Sequence, residues 1–311
     1  MYPLRKEYET IVLDKIDELL TQGIIKVGTS RYVSPLVVVK KPHGRGYRMC
    51  LDARAINKFI RLPGEKPLTL DEILQTFRGA HYLSSVDLTS SFLQVELMEE
   101  SKQYAAFRFR DQIYVFNRCP FGFRDSMAAL QRALQAALPA SICGNVRKYV
   151  DDISVATSTF NDHIRVLRVL FNAFRDQGVT VSLEKSELLR HEIRFLGYKI
   201  SYLGIETDPE TLQVIQEFRR PQCSKEVHSF LGFIQFYARF SNKLSVVAEP
   251  LRQLIHKGVQ FRWGTAQEES FRQIKQIFCE RILLLHPDPS KQFHLFVDAS
   301  DLGLGAELAQ N

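Results

Sequence analysis

One run constrains this chain more than any other: Val146-Arg147-Lys148-Tyr149-Val150-Asp151-Asp152-Ile153-Ser154-Val155. Two adjacent acids interrupt a stretch of strand-forming, largely apolar residues. Carboxylates buried without partners would cost more than a hairpin gains. The pattern therefore predicts a β-hairpin whose tight turn carries both acids, since Asp tolerates turn geometry while Val, Ile and Tyr favour strands. Two crowded carboxylates raise each other's pKa unless a cation sits between them. Mg²⁺ suits that place, because it takes hard oxygen ligands, one or two carboxylates together with substrate phosphates. A solvent-exposed Asp-Asp turn is the plain alternative, and the doublet alone does not decide between them.

A third acid favours the metal. His81-Tyr82-Leu83-Ser84-Ser85-Val86-Asp87-Leu88 reads as a strand, with Leu83, Ser85 and Asp87 on one face and Val86 and Leu88 on the other. An acid ending a strand beside an acidic hairpin is what two-metal phosphoryl transfer requires, with the ions roughly 4 Å apart. Neighbouring strand residues point to opposite faces, so Asp151 and Asp152 are not equivalent. Asp87 and Asp151 are the expected direct ligands and Asp152 a supporting one.

In order along the chain stand Asp87, Phe92 five residues later, Cys119-Pro120-Phe121-Gly122-Phe123, Tyr149-Val150-Asp151-Asp152 and Phe195-Leu196-Gly197-Tyr198. This succession resembles the reverse transcriptases of gypsy-type LTR retrotransposon (Metaviridae) Pol polyproteins, with retroviral enzymes as more distant relatives. The resemblance runs over the whole chain. It implies an α+β right-hand polymerase: fingers, a palm with an antiparallel sheet, a helical thumb, a connection segment and the first hairpin of an RNase H-like domain. It also implies that Asp87, Asp151 and Asp152, with the backbone carbonyl of Leu88, hold two Mg²⁺ ions, for which Mn²⁺ is a substitute.

Further roles carry over residue by residue. The lysine before Pro42 and the arginine seven positions later, Lys41 and Arg48, match the pair that grips the incoming nucleotide's triphosphate; a guanidinium fork suits bidentate phosphate contact. A solvated basic hairpin is the alternative. Phe92 matches the steric gate that excludes a 2′-hydroxyl, although by periodicity it is simply core. Phe121 and Gly122 match the loop against the nucleotide, where glycine permits close backbone approach. Gln131 falls on the helix that follows, Ser126 to Leu138. Lys185 matches the lysine that protonates the leaving pyrophosphate, with a surface lysine as the alternative. Phe195, Leu196, Gly197 and Tyr198 match the primer grip, where plain strand core is the alternative. After Pro-Phe-Gly the family commonly carries Leu-Lys-Asn-Ala-Pro, whereas here Phe123-Arg124-Asp125-Ser126-Met127 follows. Asp125 then needs Arg124 or another cation beside it where nucleic acid passes.

Composition agrees. The 311 residues suffice for more than one core. With 41 Lys+Arg against 35 Asp+Glu the net charge is +6, and clustered acids at a metal site would leave the remaining surface more basic still. Five cysteines without Cys-x-x-Cys spacing read as reduced, mostly buried thiols of a cytosolic protein. No signal peptide is visible, and no apolar run approaches the ~20 residues of a membrane span. The resemblance places the protein in the cytoplasm, within a virus-like particle for an intact element, or in the nucleus.

Stops and caps give the organisation. Residues 5–22 read as an amphipathic helix ending at Gly23, Leu68 to Phe77 as another, and 161–177 as one ending at Gly178 behind the catalytic sheet. Pro209 and Pro221 bracket a short helix, Ser224 caps one running to Tyr237, and Thr265 with Glu268 forms a capping box. The resemblance assigns residues 1–205 to fingers and palm (catalytic strands about 80–105 and 143–205), 206–260 to the thumb, 261–292 to the connection and 293–311 to the start of an RNase H domain. Arg219, Arg220, Lys225 and Arg239 are candidate phosphate contacts of the thumb, with a solvated helix face as the alternative. Asp298 matches the first metal-binding acid of RNase H. One carboxylate cannot build a two-metal site, so no RNase H activity is expected and the hairpin should be loosely docked. With protease and integrase motifs absent, the sequence reads as a polyprotein segment or a shortened reading frame.

The function expected is RNA-directed DNA polymerisation, also DNA-templated, with RNA template, primer–template duplex and dNTPs as partners and no membrane. A domesticated, non-catalytic nucleic-acid-binding descendant is the alternative. An RNA-dependent RNA polymerase is a third reading, which Phe92 and the RNase H start oppose.

Overall fold

The computed structural model describes residues 6–40, 46–61, 70–149, 151–241, 243–279, 282–288, 290–300 and 303–310. The chain divides into two compact units: Met1–Ile73 with Ser84–Val155 and Asn161–Leu188, and Leu74–Leu83 with Ala156–Phe160 and Leu189–Asn311.

In the first unit the helix Glu9–Thr21 buries Val12, Ile16 and Leu19. It stops as the sequence predicts: Gly23 takes φ +66, and the Ile24 and Gly23 amides return to Leu19 and Leu20 carbonyls, the glycine-terminated pattern that satisfies the last turn. The buried face joins a core with Ile25, Leu36, Leu51, Phe107 and Phe116. That core serves a sheet ordered Ile25–Val27, Gln112–Phe116, Ala106–Phe109, Val33–Ser34 and the hairpin Leu36–Lys40/Tyr47–Leu51, whose register sets Val39 opposite Arg48.

A second sheet runs Val181–Arg190, Tyr82–Leu88, Asp152–Thr157, Val146–Tyr149. Its core contains Val86, Leu88, Ile153 and Val155 from strands, Leu130 and Leu134 from the helix Ser126–Ala137, and Val166, Leu167, Leu170 and Phe174 from the helix Phe160–Asp176. Each such side chain contributes roughly 1.5–3 kcal/mol by leaving water. Two polar residues are carried inside: Ser84 Oγ and His163 Nε2 lie 2.7 Å apart, both fully buried. Desolvation pushes His163 below the ordinary imidazole value.

The second unit holds a sheet ordered Glu192–Phe195, Tyr198–Ser201, Gly204–Thr207, Leu284–Leu285. Its helices include Pro209–Glu217, Ser224–Gln235 and Thr265–Ile277, with Phe230 and Phe271 in ring contact at 4.9 Å. The hairpin His294–Ser300/Gly303–Ala309 pairs with itself in full register and leaves Leu295, Phe296, Val297 and Leu308 exposed.

Several local expectations need correction. Ser224 and Thr265 are first helical residues, not caps; Cys223 and Gly264 precede them. The N-terminal loops close instead through Glu226, which accepts the Gln222 amide at 2.7 Å, and Gln267, which accepts the Gly264 amide at 3.0 Å. Glu268 accepts the Trp263 indole N–H. The helix from Ser224 ends at Gln235, short of Tyr237. The cysteines are all free, but only Cys119 is buried; Cys223 and Cys279 are exposed beside helix ends. No described helix is long and apolar enough to cross a membrane.

Candidate active site

The acidic doublet lies where chain reversal forces it. Tyr149 pairs with Asp152 as the last rung of the hairpin, so Asp151 belongs to the turn and is exposed. Asp152 opens the strand and is half-buried, so the expectation that the turn carries both acids holds for Asp151 alone; Val150 lies outside the described residues. Burial, then the Asp151 and Asp87 charges, push the Asp152 carboxyl up to about 6.

Asp87 comes from the neighbouring strand. Its amide donates to Ser186 Oγ at 3.1 Å, and that hydroxyl donates to the Ser182 carbonyl at 2.7 Å, which fixes the end of Tyr82–Leu88 against Val181–Arg190. The side-chain Oδ1 is buried without a hydrogen bond; Lys185 Nζ faces it at 3.6 Å. A desolvated oxygen with no donor is costly unless a charge offsets it.

Asp87 and Asp151 line a cavity of about 240 Å³ together with Arg48, Leu88, Phe121 and Lys185. Arg48 rests its guanidinium over the Phe121 ring at 4.6 Å, and Phe121 meets Phe92 edge to face at 5.3 Å. Six candidates chosen from distant parts of the sequence thus share one cavity, with Phe92 behind its wall. Lys41 lies outside the described residues. Gln131 is on the helix Ser126–Ala137, where its carbonyl accepts from Lys148 Nζ at 3.0 Å.

The loop carrying Phe121 is built from contacts that few motifs reveal. Cys119 Sγ donates to Ser126 Oγ, and Ser126 Oγ donates to the Pro120 carbonyl, both at 3.1 Å. Leu51 N–H reaches the Phe121 carbonyl at 3.0 Å. Asn57 donates to the Gly122 carbonyl and accepts from the Arg124 amide, each at 2.9 Å. Gly122 takes φ +111, and a Cβ there would stand 2.1 Å from the Leu51 carbonyl oxygen, so the close approach does require glycine. Asp125 finds its cation in Arg132 at 3.1 Å rather than in Arg124. Sequence reasoning missed Asn57, Ser186 and Gln94; a polar residue inside Phe92-Leu93-Gln94-Val95 was the one visible signal.

The second unit places the other candidates. Phe195 and Tyr198 are core residues, 2% and 0% exposed, whereas Leu196 and Gly197 form the two-residue turn between them at φ +52 and +77. Positive φ at both positions matches the twist of a tight hairpin. Tyr198 donates to the Phe236 carbonyl at 2.9 Å. Arg219 and Lys225 are exposed; Arg220 lies over Trp263 at 5.3 Å and 3.7 Å from Glu268, and Arg239 lies over Tyr198 at 5.6 Å. Asp298 stands opposite Gly305 in the terminal hairpin.

Hard oxygen donors, a buried Asp87 oxygen lacking a donor and an Asp152 pushed up by burial and then by the Asp151 and Asp87 charges together fit a divalent cation. Asp87, Asp151 and Asp152 would hold it. Among the described residues, no three His, Cys, Asp or Glu side chains are already grouped to hold a metal ion.

Comparison with known proteins agrees with this geometry. Residues 39–200 match the family described as reverse transcriptase (RNA-dependent DNA polymerase), and residues 263–311 match an RNase H-like domain found in reverse transcriptase. The latter span takes in the helix Thr265–Ile277 as well as the terminal hairpin. The chain is 32% identical over 316 residues to the retrovirus-related Pol polyprotein from transposon 297 of Drosophila melanogaster, covering 100% of this chain and 30% of that protein. It is 33% identical to the Pol polyprotein from transposon opus of the same organism, over 100% of this chain and 32% of that one. A foamy viral protease-reverse transcriptase in complex with double-stranded DNA is similar at TM-score 0.91 and 29% identity, over 100% of this chain and 55% of its own. The same viral protein in complex with an RNA/DNA hybrid is similar at TM-score 0.85 and 28% identity, over 100% and 44%. The chain spans about a third of these curated relatives' length.

Proposed function

Because the chain belongs to the reverse transcriptase (RNA-dependent DNA polymerase) family, we propose that it extends a primer 3′-hydroxyl with deoxynucleotides on an RNA template, and on DNA as well. The observation that carries this reading is one cavity lined by Asp87, Asp151, Arg48, Phe121 and Lys185: two acids for cations and two bases for a triphosphate around one aromatic ring. The relatives solved in complex with double-stranded DNA and an RNA/DNA hybrid support nucleic acid as the partner.

On this reading Asp87, Asp151 and Asp152, with the Leu88 carbonyl, hold two Mg²⁺ ions. When bound, such ions supply charge neutralisation at the reacting phosphate and ease ionisation of the primer hydroxyl. Arg48, held flat by Phe121, orients the triphosphate together with Lys41. Phe92, braced edge-on by Phe121, occupies the space a 2′-hydroxyl would need. Lys185 sits beside Asp87 and is the candidate to give the leaving pyrophosphate its proton. Gly122 brings the loop backbone close to the nucleotide, and the Leu196-Gly197 turn is the part of the primer grip free to touch a primer. Residues 1–205 then serve as fingers and palm, 206–260 as thumb, 261–292 as connection and 293–311 as the start of an RNase H domain.

Primer extension on an RNA template with dNTPs and Mg²⁺ tests the reading beside Asp151→Asn. Extension by the parent, a loss of at least about 10³-fold in the variant and primer–template affinity kept within about threefold are expected. Equal collapse of binding would overturn the ligand assignment. Salt-sensitive duplex binding without extension by the parent would instead mark a domesticated binding module.

A further inference from the structure

We propose that Gln94 is a positioning residue for sugar discrimination: its side-chain amide locks the turn bearing Phe92 to the start of the strand Val181–Arg190. The inference rests on the polymerase reading above and deepens it.

The turn in question needs holding. It leaves the strand Tyr82–Leu88 through Ser90, which takes φ +49, a left-handed conformation disfavoured for a residue with a Cβ. Phe92 then lies in the 3-10 turn Ser91–Gln94. Its backbone closes on itself, Leu93 N–H to the Ser90 carbonyl at 2.8 Å and Val95 N–H to the Phe92 carbonyl at 3.1 Å. Such a local knot does not by itself fix where the ring points.

Gln94 supplies the fixed reference. Its Nε2 donates to the Thr89 carbonyl at 2.6 Å and to the Thr180 carbonyl at 2.8 Å, while its Oε1 accepts the Thr180 amide at 2.8 Å. Both amide protons and one acceptor site are used, which no other side chain of that length can reproduce. Alongside, Thr89 N–H donates to the Thr180 carbonyl at 3.1 Å. The amide thus continues, beyond Leu88 and Val181, the pairing of the two strands that carry Asp87 and Lys185. The same residue also ties the opposite side of the wall: its main-chain carbonyl accepts from Arg118 at 2.8 Å, and the next carbonyl, of Val95, accepts the Cys119 amide at 2.8 Å. Cys119 precedes Pro120-Phe121, and the Phe121 ring braces Phe92. Both rings of the wall are therefore referenced to Gln94, whose side-chain hydrogen bonds all go to main-chain atoms of Thr89 and Thr180.

The test compares single-nucleotide addition of a dNTP and the matching rNTP by the parent, Gln94→Glu, Gln94→Met and Phe92→Val. Glutamate keeps the shape but turns an acceptor on two carbonyls; methionine keeps the length and removes every bond. Both Gln94 variants should lower the dNTP/rNTP ratio of kcat/KM by about tenfold, the scale of one lost interaction at 1.4 kcal/mol, with a raised KM for the dNTP. A residue that merely stabilises the fold would depress both substrates in parallel and leave the ratio unchanged. A ratio unchanged in both Gln94 variants while Phe92→Val shifts it overturns this inference alone. So does unfolding of both variants at the assay temperature, seen by thermal melting. A ratio unmoved by Phe92→Val overturns the gate, and absence of extension by the parent overturns the polymerase reading; either takes this inference with it.

Discussion

Gly122→Ala probes the tightest contact behind the nucleotide wall. An alanine Cβ would stand 2.1 Å from the Leu51 carbonyl oxygen and 3.2 Å from its carbon. Both atoms are backbone, so no rotamer change relieves the overlap and the strand or the loop must move by about 1 Å. Two terms add. An L-residue at φ +111 costs about 1–3 kcal/mol. The displacement also breaks the Leu51 N–H to Phe121 carbonyl bond at 3.0 Å and the Asn57 to Gly122 carbonyl bond at 2.9 Å, about 1 kcal/mol each. The sum, about 3–5 kcal/mol, corresponds to a fall in melting temperature on the order of 10 °C. Because Phe121 moves with the loop, kcat/KM for dNTPs should fall about 10²-fold. Gly178→Ala is the control: φ is +69, but nothing lies within 4 Å of the added carbon, so only the backbone term remains. Differential scanning calorimetry and steady-state extension read both variants. Equal melting temperatures for the two, with an unchanged dNTP KM in Gly122→Ala, would refute the reasoning.

Other consequences follow from the same geometry. Asp152 is raised from 3.8 to about 6, so the folded state favours its protonated form; that contribution is whole below pH 3.8 and is lost as pH rises through about 6, at most about 3 kcal/mol. Metal-free Asp152→Asn should therefore unfold at higher urea than the parent at about pH 8 and show little gain at about pH 4; a gain independent of pH would refute the burial and charge account. Phe92→Val removes the ring that meets Phe121 at 5.3 Å and should admit ribonucleotides with a ratio change of about tenfold or more; sugar selectivity equal to the parent's would place the gate elsewhere. Gly197→Ala sets a Cβ 2.5 Å from the Tyr237 hydroxyl and should cost about 1–3 kcal/mol. Adding Tyr237→Phe should recover part of that loss, and a double-mutant cycle with no coupling would discount the contact.

Helix and hairpin positions were legible wherever local chemistry is decisive. The stop at Gly23, the helix read over 161–177 and found at Phe160–Asp176, and the acidic hairpin follow from periodicity and turn residues, whereas the hairpin at Leu196-Gly197 came only with the family resemblance. Cap details were less legible. Ser224 and Thr265 have the right chemistry one residue too late, because Glu226 and Gln267 close those loops by reaching back to main-chain amides. The cysteines differ for another reason: a free thiol prefers burial, but Cys223 and Cys279 fall beside helix ends and are exposed there.

The sequence by itself determined the chemistry available: two acids at strand ends and one in the turn between strands, a basic hairpin, an aromatic five residues after Asp87, and a glycine in Pro-Phe-Gly. These are local facts, readable because alternation and turn propensity act over a few residues. Only the tertiary structure decided which of them meet. Arg48, Phe121, Asp87, Asp151 and Lys185 line one cavity because strands distant in the chain converge there, and no spacing rule encodes a packing distance. Asp87 Oδ1 loses its hydrogen-bond donors, and the Asp152 carboxyl is pushed up, only when neighbours exclude water from them. The supports were invisible for the same reason. Asn57, Ser186 and Gln94 act through hydrogen bonds to main-chain atoms as many as 99 residues away, and a polar side chain carries no mark of its partner until the chain has folded around it.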